Sequence, residues 1–207
     1  LIFGRANIEG RPVVASADDF TVRGGAADAA LHRKFTQCEK MAHTLGIPMI
    51  RMIDGTGGGG SVKSLEDMGF TYVPAVPGWE DIIKNLDTVP VVALAVGPTA
   101  GMGAARTVAS HYSIMVKGLS QIFAAGPAVA AAIGDTLTKE QLGGSDIHAT
   151  NGVVDEEVAS EAEAFVTARK FLSYLPSNVN QFAARTENWD PVDRKDESLL
   201  SAVPRAD

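Results

Sequence analysis

Short apolar runs alternate along this chain with segments of helical periodicity. The clearest helix is predicted over 26–45, where apolar residues are separated by four, three, four and three positions. Gly46 and Pro48 follow it, and both are typical of helix ends. Buried strands are predicted at 47–54 and 90–96, where the apolar residues are nearly continuous. This alternation of strands and helices predicts an α/β fold.

The remaining predicted elements are shorter. Segment 11–22 indicates a β-hairpin or two consecutive strands, which Gly24 and Gly25 close. Further strands are predicted at 112–116 and 121–126, and further helices at 79–86, 127–133, 138–142 and 156–172. The periodicity ends at Pro176, so we predict a domain at 1–175 and an extended arm at 176–207.

Two glycine-rich loops directly follow the buried strands. Five of the six positions from Gly55 to Gly60 are glycine, and segment 97–103 contains three more. The first loop is not a P-loop, because Lys63 does not directly follow a glycine, and a Rossmann fingerprint fits a glycine run at almost any spacing. Backbone N–H groups in such loops can stabilise the oxyanion of a thioester enolate. Close packing of strands and helices is the alternative explanation, and it stays open.

Composition and charge narrow the class of function. The chain is 45% hydrophobic and 21% charged, as in globular domains, and its net charge of −7 argues against a protein that coats nucleic acid. Neither a membrane span nor a signal peptide is predicted. The four histidines are scattered without metal-ligand spacing, and we interpret them as structural or surface residues. Cys38 lies on the apolar face of its helix and is expected to be buried rather than nucleophilic.

Five segments carry a specific resemblance. In order they are IEGRPVVASADDFTVRGG, IDGTGGGG, VGPTAGMGAA, FAAGPAVAAAIGDTLTKEQLGGSDIHATNGVVD and FLSYLPSNV. Together they resemble the carboxyltransferase β-type subunits of biotin-dependent acyl-CoA carboxylases, from about Gly4 to Pro204. The resemblance implies a crotonase-like (ClpP/crotonase) fold, a spiral of repeated ββα units. It also implies transfer of carboxylate from carboxybiotin to the α-carbon of an acyl-CoA, through an enolate held by backbone N–H groups and without a protein general base.

The resemblance implies roles for individual residues. Gly101 and Met102 are expected to supply the oxyanion donors, with methionine where the family has a second glycine. The expected substrate-binding residues are Gly57, Gly58, Gly59, Ala100, Gly24, Gly25, Arg23, Arg33 and Lys34. The three cationic residues are candidates for binding CoA phosphates, and solvated surface charge is an equal alternative. His148 is expected to be structural and to order the Leu-Gly-Gly turn.

The resemblance further implies a cofactor and partners. Biotin is expected on a separate carrier domain, together with a C-terminal carboxyltransferase half, biotin carboxylase and biotin carboxyl carrier components, and a homo-oligomer of the hexamer type. The location implied is cytoplasmic, or the mitochondrial matrix in a eukaryote. No metal, nucleic acid or membrane partner is expected.

Three interpretations of the chain stay open. Family subunits contain two homologous halves, so we expect this chain to be the acyl-CoA-binding half, with the other half either a separate polypeptide or missing from this chain. The chain begins at Leu1 without Met, and we expect that it was trimmed or cut from something longer. A crotonase-type enoyl-CoA hydratase or isomerase would need an acid or base near the oxyanion turn. A non-catalytic assembly module of a carboxylase complex would need neither.

Overall fold

The computed structural model describes residues 1–25, 29–55, 66, 69, 79–185, 187 and 189–202. Within these ranges the strands are β1 Ile2–Ile8, β2 Arg11–Ala17, β3 Met49–Ile53, β4 Val91–Ala95, β5 Pro98–Ala100, β6 Tyr112–Val116, β7 Gln121–Phe123 and β8 Glu156–Val158. The α-helices are α1 Ala29–Leu45, α2 Trp79–Thr88, α3 Met102–Val108, α4 Pro127–Ala132, α5 Lys139–Gly143, α6 Ser145–Thr150 and α7 Glu161–Ser173. Two 3-10 helices lie at Arg23–Gly25 and Glu197–Ser201.

The strands form two sheets. The larger has six strands in the order β1-β2-β3-β4-β6-β8, and all neighbours except β1 and β2 are parallel. Strands β5 and β7 form a separate parallel pair. The successive groups β4-β5-α3 and β6-β7-α4 are therefore ββα units, the repeat that the resemblance implies.

Helices cover both faces of the larger sheet. Val13 of β2 belongs to the core beneath α7, whereas the next residue, Val14, belongs to the core beneath α1. Ile50 and Met49 of β3 divide in the same way. Strands buried on both faces are apolar at most positions, which explains the nearly continuous apolar runs. No helix within the described ranges is long and apolar enough to span a bilayer.

The helix predicted at 26–45 and the strands predicted at 47–54 and 90–96 are confirmed as α1, β3 and β4. Gly46 ends α1 with φ 60, in the left-handed region that favours glycine. Cys38 is fully buried, as predicted. Burial raises the pKa of its thiol to about 12, so the thiol stays protonated and unreactive at neutral pH.

The hairpin prediction at 11–22 was wrong in position. The hairpin is β1-β2, and its two-residue turn consists of Glu9 and Gly10, both with positive φ, 52 and 86. The chain after Ala17 turns instead of continuing as a strand. Asp19 Oδ1 accepts hydrogen bonds from the N–H and hydroxyl of Thr21 at 3.0 and 2.6 Å, and local bonds of this kind stabilise turns.

The helix predicted at 156–172 also begins later than expected. Its first three residues form β8, which pairs with β6. Helix α7 starts after Ser160, whose side chain accepts a hydrogen bond from the N–H of Glu163 at 3.2 Å. Strand β5 was not predicted because it lies inside the glycine-rich segment 97–103, and helix α6 was not predicted because its six residues are mostly polar and lie between glycines. The division into a domain and an arm at 176 stays a prediction.

Candidate functional site

The turns that follow β2 and β3 lie in direct backbone contact at one edge of the larger sheet. A Cβ placed at Gly25 would overlap the carbonyl oxygen of Asp54 and lie 2.7 Å from the Cα of Gly55. A Cβ placed at Gly55 would lie 2.7 Å from the carbonyl oxygen of Gly25. Gly24 and Gly25 also have positive φ, 63 and 67. Backbone packing therefore explains the glycines at 25 and 55 without reference to a ligand.

The turn Gly101–Gly103, which joins β5 to α3, is attached to the same cluster. The Ala100 N–H donates to the carbonyl of Gly55 at 3.3 Å. A Cβ placed at Gly103 would lie 2.9 Å from that same oxygen. Gly101 has φ 55 and ψ −112, a conformation that glycine adopts without strain. Its N–H donates to the carbonyl of Phe123 in β7 at 3.1 Å, so the turn is fixed by β7 and by the segment that follows β3.

Met102 stands where the resemblance implies a second glycine. It is the first residue of α3, and Glu9 is the one non-glycine residue with positive φ in the described part of the chain. Methionine therefore fits the turn without backbone strain. The N–H groups of Met102 and Gly103 lie in the first helical turn, where no intrahelical acceptor exists, and they have no acceptor among the described residues. The Gly101 amide, by contrast, is already bonded to the carbonyl of Phe123.

Buried charges that sequence reasoning missed fix helix α3. Arg106 of α3 donates to both carboxylate oxygens of Asp18, at 3.2 Å each. The guanidinium of Arg51 donates to the carboxylate of Glu39 at 2.7 and 2.9 Å, and to the carbonyl of Arg106 at 3.0 Å. The Asn85 amide donates to Glu39 at 2.8 Å. Two arginines balance two carboxylates, and the network joins α3 to β3, α1, α2 and the residue that follows β2.

The sequence contained a signal for this network. Glu39 lies four residues after Phe35, on the apolar face of the predicted helix, and Arg51 interrupts the apolar run of the next strand. A charge inside each of two otherwise apolar surfaces indicates a buried ion pair, because an unpaired buried charge is strongly unfavourable. The pattern does not show which charges meet, and that information comes from the fold.

An acidic side chain lies at the same edge of the sheet, although sequence reasoning identified no acid or base near the turn. Asp54 follows β3, and a Cβ placed at Gly97 would lie 2.6 Å from its Cγ. Burial raises the pKa of the Asp54 carboxyl group, and the carboxylates of Asp18 and Glu161 raise it further. Asp54 therefore holds its proton more strongly than an ordinary aspartate.

The remaining predicted binding residues are only partly described. Gly57, Gly58 and Gly59 lie outside the described residues, as do the side chains of Arg23 and Arg33. The exposed Lys34 donates through Nζ to the carbonyl of Leu1 at 3.3 Å. The expected contacts of these residues with CoA stay predictions.

Comparison with known proteins identifies the family. The model of the carboxyl transferase domain matches residues 1–207. The chain belongs to the carboxyl transferase domain family. This carboxyl transferase domain is 31% identical to the mitochondrial propionyl-CoA carboxylase beta chain of Rattus norvegicus, over 99% of this chain and 37% of that one. It is also 31% identical to the methylmalonyl-CoA decarboxylase subunit alpha of Veillonella parvula, over 99% of this chain and 40% of that one.

Solved structures show the same fold. The domain superimposes on the transcarboxylase 12S structure with methylmalonyl-coenzyme A and methylmalonic acid bound, with a TM-score of 0.76 and 28% identity, over 98% of this chain and 39% of that one. The beta subunit of geranyl-CoA carboxylase from P. aeruginosa shares the fold at a TM-score of 0.72 and 22% identity, over 89% of this chain and 34% of that one. The fold is crotonase-like, as expected. The domain spans about two fifths of the length of the curated relatives named above.

Proposed function

We propose that this domain is the acyl-CoA-binding half of a biotin-dependent acyl-CoA carboxyltransferase. The turn Gly101–Gly103 supports the proposal most directly. Gly101 is bonded to Phe123 of β7 and the preceding Ala100 to Gly55, while the amides of Met102 and Gly103 have no acceptor among the described residues. The names of the relatives support it as well, since a propionyl-CoA carboxylase chain and a methylmalonyl-CoA decarboxylase subunit are named for acyl-CoA substrates.

The proposed chemistry depends on backbone donors. Adding a carboxyl group to the α-carbon of a thioester, or removing one, passes through an enolate whose negative charge lies on the thioester oxygen. In the proposed site the amides of Met102 and Gly103 donate to that oxygen. Loss of one such donor typically lowers the rate by about 10²–10³-fold, because the donor strengthens its bond as the charge develops. Gly101, whose own amide is bonded to Phe123, contributes through its conformation.

The carboxyl group that is transferred to the acyl-CoA is not supplied by this chain in the proposal. In the proposal, biotin on a separate carrier domain supplies it, and this chain's residues bind and polarise the thioester. The domain spans about two fifths of its relatives' length, and the transcarboxylase 12S structure is described as a hexamer assembly. We therefore include a C-terminal carboxyltransferase half, biotin carboxylase and carrier components, and a homo-oligomer of the hexamer type in the proposal, with a cytoplasmic or mitochondrial-matrix location.

A matched pair of substitutions tests the turn. Gly101→Ala introduces a methyl group at φ 55, and the control Gly118→Ala introduces one at φ 68, where nothing lies within 4 Å of the new Cβ. Gly118→Ala is expected to lower the free energy of unfolding by about 1–2 kcal/mol through left-handed strain. Gly101→Ala is expected to lower it at least as much, because ψ −112 lies outside the left-handed helical region and favours glycine more strongly. Only Gly101→Ala is expected to weaken propionyl-CoA binding, by about tenfold or more in calorimetric titration, through misplaced donors. Equal binding by the two variants would contradict the assignment of the turn.

Activity assays separate the proposal from its alternatives. Methylmalonyl-CoA decarboxylation and carboxylation of free biotin are expected only when a C-terminal half is supplied. Full activity from this chain alone would contradict the two-half arrangement. Failure to bind any acyl-CoA at millimolar concentration would favour an assembly module. Hydration of crotonyl-CoA would favour a hydratase, with Asp54 as the candidate acid.

A further inference from the structure

Strand β7 is held at both of its edges. At one edge the carbonyl of Phe123 accepts the hydrogen bond from Gly101 at 3.1 Å. Successive carbonyls of a strand point in opposite directions, so the carbonyl of Ile122 faces the other edge. There it lies 2.7 Å from Nε2 of His148 on helix α6. A carbonyl oxygen only accepts hydrogen bonds, so His148 carries a proton on Nε2 and donates it.

The Leu-Gly-Gly turn packs on the same carbonyl group. A Cβ placed at Gly143 would overlap the oxygen of Ile122 and lie 2.9 Å from its carbonyl carbon. Glycine at 143 therefore lets the end of α5 approach β7. The other ring nitrogen of His148, Nδ1, is buried and has no hydrogen-bond partner in the described part of the chain. The imidazole ring is thus committed to one hydrogen bond, the one that fixes β7.

We propose that His148 is a positioning residue for the thioester oxygen. His148 donates a hydrogen bond to the carbonyl of Ile122, and the carbonyl of the adjacent Phe123 accepts one from Gly101. The conformation of Gly101 in turn sets the direction of the Met102 amide. Only two hydrogen bonds and one peptide unit separate the histidine from the turn. Oxyanion donors act over a narrow range of distance, so a small displacement of β7 reduces their effect. The inference rests on the proposed function, and its test must separate the two.

The experiment compares two ligands that differ in one oxygen atom. Propionyl-CoA contains the thioester carbonyl, and the thioether S-propyl-CoA lacks it. The dissociation constant of the thioether divided by that of the thioester therefore isolates the carbonyl contact, and we call this quotient the ratio. His148→Gln places an amide nitrogen near the position of Nε2 and is expected to retain the ratio. His148→Asn places it near Nδ1, too far from Ile122, and is expected to reduce the ratio about fivefold, as for one lost hydrogen bond, without changing thioether affinity.

A second histidine provides the control. His111 Nε2 lies 2.9 Å from the carbonyl of Leu86, and its Nδ1 accepts a hydrogen bond from the N–H of Val91 at 3.1 Å, away from β7. His111→Asn therefore also removes a histidine-to-carbonyl contact, and it is expected to leave the ratio unchanged. The infrared carbonyl band of bound [1-¹³C]propionyl-CoA gives an independent readout. It should shift to lower frequency in the wild type and in His148→Gln, and less in His148→Asn.

The outcomes are distinct. An unchanged ratio and carbonyl band in His148→Asn would overturn the positioning role and leave the proposed function standing. An equal reduction in His111→Asn would show a general loss of stability and would also overturn it. Wild-type protein that binds both ligands equally, or neither, would overturn the proposed function together with this inference.

Discussion

Replacing Gly25 by alanine tests whether the turns after β2 and β3 pack directly on each other. The added Cβ would overlap the carbonyl oxygen of Asp54 and lie 2.7 Å from the Cα of Gly55. Both are backbone atoms, so neither can rotate away as a flexible side chain would. Gly25 also has φ 67, so the alanine variant combines overlap with left-handed strain.

Two other glycines separate these effects. Gly10 has φ 86 and nothing within 4 Å of its Cβ position, so Gly10→Ala measures strain alone, about 1–2 kcal/mol. Gly55 has no positive φ, and its Cβ would lie 2.7 Å from the oxygen of Gly25. Gly55→Ala therefore measures overlap alone, about 1–3 kcal/mol by analogy with overpacked cores. Gly25→Ala is expected to combine the two, about 2–5 kcal/mol.

The assay is urea denaturation followed by far-ultraviolet circular dichroism, with the free energy of unfolding extrapolated to water. Propionyl-CoA binding is measured on the same samples, and it should fall in Gly25→Ala and Gly55→Ala because Gly55 anchors Ala100. A loss of stability in Gly25→Ala no larger than in Gly10→Ala would show that the two turns do not touch, and would refute the reasoning.

Two further predictions concern buried and partly buried charges. Glu39→Gln leaves the Arg51 charge buried without its counter-ion and is expected to lower the free energy of unfolding by about 3–5 kcal/mol, most of which Glu39→Gln combined with Arg51→Met should restore. A loss below about 1 kcal/mol in urea denaturation would indicate that solvent reaches the pair. Asp54→Asn removes a carboxyl group whose folded-state pKa is raised by burial, Asp18 and Glu161, so that ionisation opposes folding. The variant should be more stable than wild type above that raised pKa and lose its advantage as pH falls through it, and a pH-independent difference would contradict this.

Sequence patterns predicted best those elements that bury a regular surface. Helix α1 and strands β3 and β4 were found because periodicity reports burial over a turn of helix or a run of strand. The hairpin predicted at 11–22 was wrong because Asp19 and Thr21 form a local turn, and the apolar residues around them gave the segment the pattern of a strand. Strand β5 was missed because it lies inside the glycine-rich segment 97–103, and its pairing with β7 is its main stabilising contact.

The candidate site divides in the same way. The resemblance implies that the amides of Gly101 and Met102 are the oxyanion donors. In the structure the Gly101 amide is instead bonded to the carbonyl of Phe123. That acceptor lies 22 residues later in the chain, and nothing in the local sequence marks it. Gly25 likewise appeared as a ligand-binding glycine, and its contact with Gly55 gives it a packing reason.

The sequence by itself determined the alternation of strands and helices, the burial of Cys38 and the motifs that indicate the carboxyl transferase family. Only the tertiary structure decided which strand ends touch, which amides lack an acceptor among the described residues, and that Glu39 pairs with Arg51. The physical reason is the range of each interaction. Propensity and periodicity act within a few residues, whereas hydrogen bonds and backbone contacts between distant segments exist only after the sheet has aligned those segments.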